Sequence, residues 1–115
     1  MFKTNGLLMP NTGTTVLTLE ATTREKAINI GKPEPYGINT ICKEHGIDFD
    51  KEKNNMLIVG DNIGVEIKLG KNIGIDSLLV LSGSTNKEML DAELRKPDNE
   101  RVVPTYVLPY LTYKS

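Results

Sequence analysis

The stretch Asn55 to Gly70, Asn-Met-Leu-Ile-Val-Gly-Asp-Asn-Ile-Gly-Val-Glu-Ile-Lys-Leu-Gly, constrains this chain more than any other. Met56, Leu57, Ile58 and Val59 form an uninterrupted apolar run closed by Gly60. Such a run predicts a strand buried on both faces of a parallel sheet. Gly60 permits a sharp turn. Asp61 then falls at the strand's carboxyl end, the side on which open α/β sheets hold their ligands. Ile63, Ile67 and Gly70 share one helical stripe, which predicts a helix from Ile63 or Gly64 that places Glu66 near Asp61. Two carboxylates converging on a strand tip can hold a hard cation such as Mg²⁺. The plainer alternative is that Asp61 only caps the helix.

The remaining chain supplies neighbours for this strand. Residues 1 to 13 carry the turn pairs Asn5-Gly6, Pro10-Asn11 and Thr12-Gly13. Thr14 to Arg24 reads equally as strand, from its β-branched threonines, and as helix, from Val16, Leu17, Glu20 and Ala21. Lys26 to Ile30 predicts a short strand stopped by Gly31. Pro33, Glu34 and Pro35 suit the first turn of a helix, with Pro33 favouring an extended Lys32. Ile38, Ile41, Cys42 and His45 continue that helix to Gly46. Asp48 to Asn55 reads as a polar loop. Gly74 ends the central helix, and Ser77 to Leu81 predicts a second buried strand. Ser82-Gly83 turns the chain, and Thr85-x-x-Glu88 reads as a capping box opening a short helix through Met89 and Leu94. Pro97-Asp98-Asn99 is a surface turn, and Thr105 to Leu108 an edge strand between prolines. The order β-α-β-α-β-α-β predicts an α/β, Rossmann-like, mostly parallel sheet with flanking helices and right-handed crossovers.

At 115 residues the chain is sized for one small domain. The absence of Trp and an aromatic content of 5% leave an aliphatic core. A net charge of -1 gives no electrostatic reason to expect nucleic acid or an acidic membrane. No run approaches the roughly 20 apolar residues of a membrane span, and Met1 to Pro10 has no signal-peptide core. The single Cys42 fits a reducing compartment such as the cytoplasm. No internal repeat is present.

Lys32, Asp61 and Glu66 all fall at element boundaries and can meet at one rim of the sheet. There Asp61 could hold Mg²⁺ while Lys32 neutralises a phosphate. Asn62 could add an oxygen ligand or bind a metal-held water, or be a plain turn residue. Lys32 is otherwise a solvated surface lysine. His45 is placed to favour a helix dipole, Cys42 to fill the core, and Lys51, Glu52 and Lys53 to lie in solvent.

In order along the chain stand Leu19-Glu20-Ala21-Thr22-Thr23-Arg24, Gly31-Lys32-Pro33-Glu34-Pro35, His45-Gly46-Ile47-Asp48, Val59-Gly60-Asp61-Asn62 and Leu78-Leu79-Val80-Leu81-Ser82-Gly83. From about Thr4 to Tyr110 this set resembles the haloacid-dehalogenase-like phosphatases. The resemblance is to the branch with a large α/β cap, which includes p-nitrophenyl and phosphoglycolate phosphatase-like enzymes. It implies that Lys32 contacts phosphate and nucleophile, that Asp61 binds Mg²⁺, and that Glu66 stands where the family usually has Asp. It also implies that Thr14 to Arg24 is helical, that residues 1–30 are a remnant of the cap, and that residues 31–115 are the second half of the core. The family's nucleophilic Asp-x-Asp has no counterpart in a suitable place, since Asp48-Phe49-Asp50 follows a helix. The function implied is the carboxyl-terminal part of a Mg²⁺-dependent phosphate-monoester hydrolase acting on a small ester through an aspartyl-phosphate, inactive as this chain alone. An open sheet edge would then favour a homo-oligomer. The competing reading is a non-catalytic module that self-associates or binds a partner.

Overall fold

The computed structural model describes residues 2–4 and 6–112, with side chains from residue 6. A hairpin opens the chain: β1 (Phe2–Thr4) pairs antiparallel with β2 (Leu7–Met9), with Gly6 at a positive φ of 80°. Gly6 thus serves the turn of a small sheet, whereas Asn11 and Thr12-Gly13 open the helix that follows, and Asn5 lies outside the described residues.

Thr14 to Arg24 is resolved in favour of helix. The helix α1 (Thr12–Thr23) is opened by Asn11, whose side chain accepts from Gly13 N–H while Thr14 Oγ1 accepts from Asn11 N–H. The hydroxyls of Thr18, Thr22 and Thr23 each donate to the carbonyl four residues back, so the threonines that suggested a strand are satisfied within the helix. α1 buries none of its residues.

The strand expected at Lys26 to Ile30 does not form. Glu20 folds back from α1, accepting from Ala27 N–H at 2.8 Å and pairing with Lys26 at 3.0 Å. Among the described residues no strand pairs this segment, and Ile28 is 81% exposed. The prolines likewise precede their helix rather than forming its first turn, for α2 (Tyr36–Glu44) begins after Pro35. It ends with Ile47 N–H on Cys42 C=O at 2.8 Å, around Gly46 at a φ of +64°. The polar loop of residues 48–55 is instead helical, as α3 (Phe49–Glu52) followed by one 3₁₀ turn, Lys53–Asn55.

The main sheet is three-stranded and parallel, in the order β3 (Leu57–Gly60), β4 (Asp76–Val80), β5 (Tyr106–Leu108). β3 is an edge strand, not one buried on both faces. Among the described residues only β4 pairs it, and Leu57 and Val59 are about half exposed. The buried strand is β4, exposed at Asp76 but with Ser77, Leu78, Leu79 and Val80 all buried. β5 holds the other edge, as its flanking prolines required.

Between β3 and β4 the chain forms a π-helical turn, Ile63–Ile67, continuing as α4 (Lys68–Ile73) and stopped by Gly74 at a φ of +76°. Gly70 sits so close to the sheet that a Cβ there would lie 3.3 Å from Ser77 Cβ. Between β4 and β5 runs α5 (Lys87–Leu94). Its cap is Asn86, which accepts from Met89 N–H, and not Thr85. Ile63, Ile67, Leu79 and Leu90 form the core on one sheet face, with Leu81 and Val102 packed against them.

Candidate active site

The π-helical turn, the loop after β3 and the loop after β4 meet at the carboxyl ends of the two strands. Asp61 is the first residue past β3, but it does not cap the helix. Asn62 does that, accepting from Gly64 N–H at 2.9 Å. The Asp61 carboxylate is held from the neighbouring loop instead, with Oδ2 accepting from Ser84 N–H at 2.9 Å. The Ser84 hydroxyl donates to the Asp61 carbonyl at 3.1 Å, and Thr85 N–H donates to the same oxygen at 2.9 Å. Thr85 is buried, and its Oγ1 accepts from Ile63 N–H at 3.3 Å. Adjacent parallel strands are thus tied together at their tips. The Ser84 N–H is the main reason that the Asp61 carboxyl lies below the usual carboxylate range. The Ser84 hydroxyl and the nearby Lys32 charge act the same way, against partial burial.

Lys32 is brought to the same place from 34 residues upstream of Glu66. Its Nζ pairs with Glu66 Oε1 at 2.5 Å, the lysine side chain 55% exposed and the glutamate 14%. Glu66 Oε2 is buried and has no hydrogen-bond partner.

Two glycines make room for the carboxylates. A Cβ on Gly60 would fall 2.2 Å from Glu66 Cγ, and one on Gly83 would fall 2.0 Å from Asp61 Oδ2. Gly60 is absent from the positive-φ residues, so it serves close approach rather than a special turn conformation.

Lys32, Asp61 and Glu66 therefore come together as their boundary positions suggested, and Asn62 lies beside them engaged at the helix start. His45 is the C-cap of α2, Cys42 is buried, and Lys51 forms an exposed pair with Asp48 at 3.8 Å. Gly83, Ser84 and Thr85 are the site residues that sequence reasoning missed. Their signal was position alone: Ser-Gly-Ser-Thr follows the strand next to β3 and so lies on the same rim.

The donor set suits a hard cation, because Glu66 presents a buried, unpartnered carboxylate oxygen and Asp61 uses only Oδ2 towards Ser84. Among the described residues no three His, Cys, Asp or Glu groups gather where they could hold a metal ion.

A family described as HAD-hydrolase-like matches residues 29–112. The 5'-nucleotidase YutF of Bacillus subtilis is 32% identical over 104 residues, 90% of this chain and 39% of that protein. Rat chronophin is 31% identical over 104 residues, 90% of this chain and 32% of that protein. The chain thus spans between 32% and 39% of the length of these relatives. Among solved structures, the p-nitrophenyl phosphatase from Archaeoglobus fulgidus aligns with a TM-score of 0.68 and 29% identity, covering 88% of this chain and 36% of that one. A Mycobacterium tuberculosis glycerol phosphate phosphatase in complex with magnesium aligns with a TM-score of 0.66 and 25% identity, covering 90% of this chain and 28% of that one. Among the described residues no helix is long and apolar enough to cross a membrane. Gly-Lys-Pro and Gly-Asp-Asn lie inside the matched region and meet at one sheet rim, and the chain belongs to the haloacid-dehalogenase-like hydrolase family.

Proposed function

We propose that the chain forms the phosphate- and metal-binding side of a Mg²⁺-dependent phosphate-monoester hydrolase that works through an aspartyl-phosphate. The observation that carries this reading is the convergence of Lys32, Asp61 and Glu66 at the ends of β3 and β4. In this assignment residues 1–30 are the last piece of a cap and residues 31–115 the second half of the core. The substrate class is a small phosphate monoester, as the names of the relatives suggest.

The Lys32 ammonium, steered by Glu66, would sit against the phosphoryl oxygens and offset their charge. Asp61 and Glu66 would hold Mg²⁺, with the second lone pair of Asn62 Oδ1 open to a metal-held water. When bound, the ion supplies charge neutralisation at the transferring phosphoryl group. An aspartyl-phosphate needs a carboxylate that attacks phosphorus as the ester oxygen leaves with a proton. These 115 residues hold no Asp-x-Asp at a strand's carboxyl end. Asp48-Phe49-Asp50 leads into the amino end of β3, and Asp48 is occupied in capping Lys51 N–H at 3.3 Å.

The purified chain assayed with p-nitrophenyl phosphate and Mg²⁺ is therefore expected to show no turnover above a metal-and-buffer blank. Turnover that disappears in Asp61→Ala would refute that part of the reading. Co-expression with the amino-terminal portion of the Bacillus subtilis relative is expected to give turnover that needs Lys32 and Asp61. A soluble complex with none would favour a non-catalytic module, for which the exposed apolar sheet face of Leu57, Val59, Tyr106 and Leu108 speaks.

A further inference from the structure

We infer that Gly83 and Ser84 are positioning residues for Asp61, fixing its carboxylate from the loop after β4 so that one oxygen stays directed away from that loop. The inference rests on reading Asp61 as a metal-holding carboxylate. An aspartate next to a strand end has two side-chain torsions to fix. Here one restraint is a hydrogen bond, Ser84 N–H to Oδ2 at 2.9 Å, and the other is contact. On the Gly83 side the carboxylate occupies the space a Cβ would need, which would fall 2.0 Å from Oδ2, 2.5 Å from Cβ and 2.6 Å from Cγ of Asp61. These distances include Asp61 Cβ, which moves only with the backbone, so a larger residue cannot be admitted by side-chain rotation alone. The backbone beneath is pinned as well, since the Asp61 carbonyl accepts from Ser84 Oγ at 3.1 Å and from Thr85 N–H at 2.9 Å. Gly83 is not among the positive-φ residues. Its lack of a side chain is therefore explained by the carboxylate lying on it and not by loop conformation.

Groups that orient a metal ligand in this way typically change metal affinity by about 10–100-fold when removed. The test uses the full ¹⁵N-labelled chain. In the absence of metal, the Ser84 amide proton is expected downfield and to move upfield in Asp61→Ala. In a Mn²⁺ titration followed by paramagnetic broadening, Asp61 and Asn62 amides are expected to respond. Gly83→Ala is expected to weaken that response at least about tenfold. Ser84→Ala, which removes only the hydroxyl, is expected to weaken it less, and Ser84→Thr to restore it. Gly46→Ala is the control for general destabilisation, because Gly46 has a φ of +64°, nothing within 4 Å, and no part in the site. It is expected to lower stability and leave the Mn²⁺ response unchanged. A folded Gly83→Ala with wild-type Mn²⁺ affinity overturns the inference, as does a Ser84 amide that ignores Asp61→Ala. Should Gly83→Ala not fold, equal Mn²⁺ affinity in Ser84→Ala and wild type overturns it. A wild-type chain with the Ser84 shift but no Mn²⁺ response supports the hold on Asp61 and refutes the metal reading instead.

Discussion

Lys32→Met keeps most of the lysine's aliphatic length and deletes its charge, which isolates what the ammonium does for Glu66. In the native chain Glu66 Oε1 is paired with Lys32 Nζ at 2.5 Å, while Oε2 is buried without a partner. After the substitution a carboxylate only 14% exposed is left with neither oxygen paired within the protein. Breaking a fully buried pair costs about 3–5 kcal/mol, whereas exposed pairs contribute about 0.2–1 kcal/mol. The Lys32 side chain is 55% exposed, so solvent screens this pair and the upper range does not apply. Coulomb's law in a fully aqueous dielectric gives about 1.7 kcal/mol at this separation, a floor for the attraction before desolvation. We expect Lys32→Met to lose about 2 kcal/mol. Glu66→Gln has nearly the same shape and leaves a lysine that can turn to water, so its loss should stay below about 1 kcal/mol. The double variant buries no unpaired charge and should recover about 1 kcal/mol relative to the sum of the singles. Urea unfolding followed by circular dichroism reads this directly. With slopes of about 1–3 kcal/mol per molar for small proteins, 2 kcal/mol moves the midpoint by about 1 M. Single variants within about 0.5 kcal/mol of wild type and strictly additive in the double would refute the reasoning. They would mean that water already reaches Glu66.

Leu79 is fully buried among Ile63, Ile67 and Leu90, so Leu79→Ala should cost about 2–5 kcal/mol and lower the thermal midpoint; a loss under about 0.5 kcal/mol would contradict the core assignment. Glu93 is held below the ordinary carboxylate value, first by its hydrogen bond with Lys96 and also by Val102 N–H. A lowered folded-state value gives stability that is present above the unfolded value of 4.5 and lost as pH falls through the folded one. Glu93→Gln should therefore flatten the acid side of the stability profile, and urea midpoints that keep the wild-type slope there would exclude the effect. On the competing reading of a self-associating module, the sheet face carrying Leu57, Val59, Tyr106 and Leu108, which are 50%, 42%, 55% and 43% exposed, would be covered by a second copy. Sedimentation should then show concentration-dependent association that Leu57→Glu/Val59→Glu abolishes; a well-folded monomer at every concentration would rule it out.

The strands β4 and β5 and the helices α2, α4 and α5 were legible because their apolar patterns and stop signals lie within short stretches of sequence. The strand predicted at Ser77 to Leu81, observed as Asp76–Val80, needed only its apolar run, and α2 only its stripe and Gly46. What misled were elements whose outcome depends on a distant partner. Lys26 to Ile30 has strand composition, but a strand exists only where another edge offers hydrogen bonds, and here Ala27 N–H is taken by Glu20. The run Met56 to Val59 has the composition of a doubly covered strand, yet composition cannot say whether this chain covers the second face. In α1 the threonine hydroxyls bond to the helix's own carbonyls, which removes the polar competition that makes them poor helix formers.

The site shows the same division at the scale of single residues. Asp61 and Asn62 are adjacent, and both residue types are good helix caps. Nothing local decides between them. The decision comes from 23 residues away, where Ser84 offers its N–H to Asp61. A carboxylate accepts that bond and is stabilised in its charged form by it, which an amide would gain less from. Asn62 is then left the one task that needs no charge, the Gly64 N–H at the start of the helix. Exchanging the two residues would keep a cap and lose the anion at the strand tip. Asp61→Asn/Asn62→Asp should accordingly keep the fold, by circular dichroism, while moving the negative charge from the Ser84 N–H to the Gly64 N–H at the helix start.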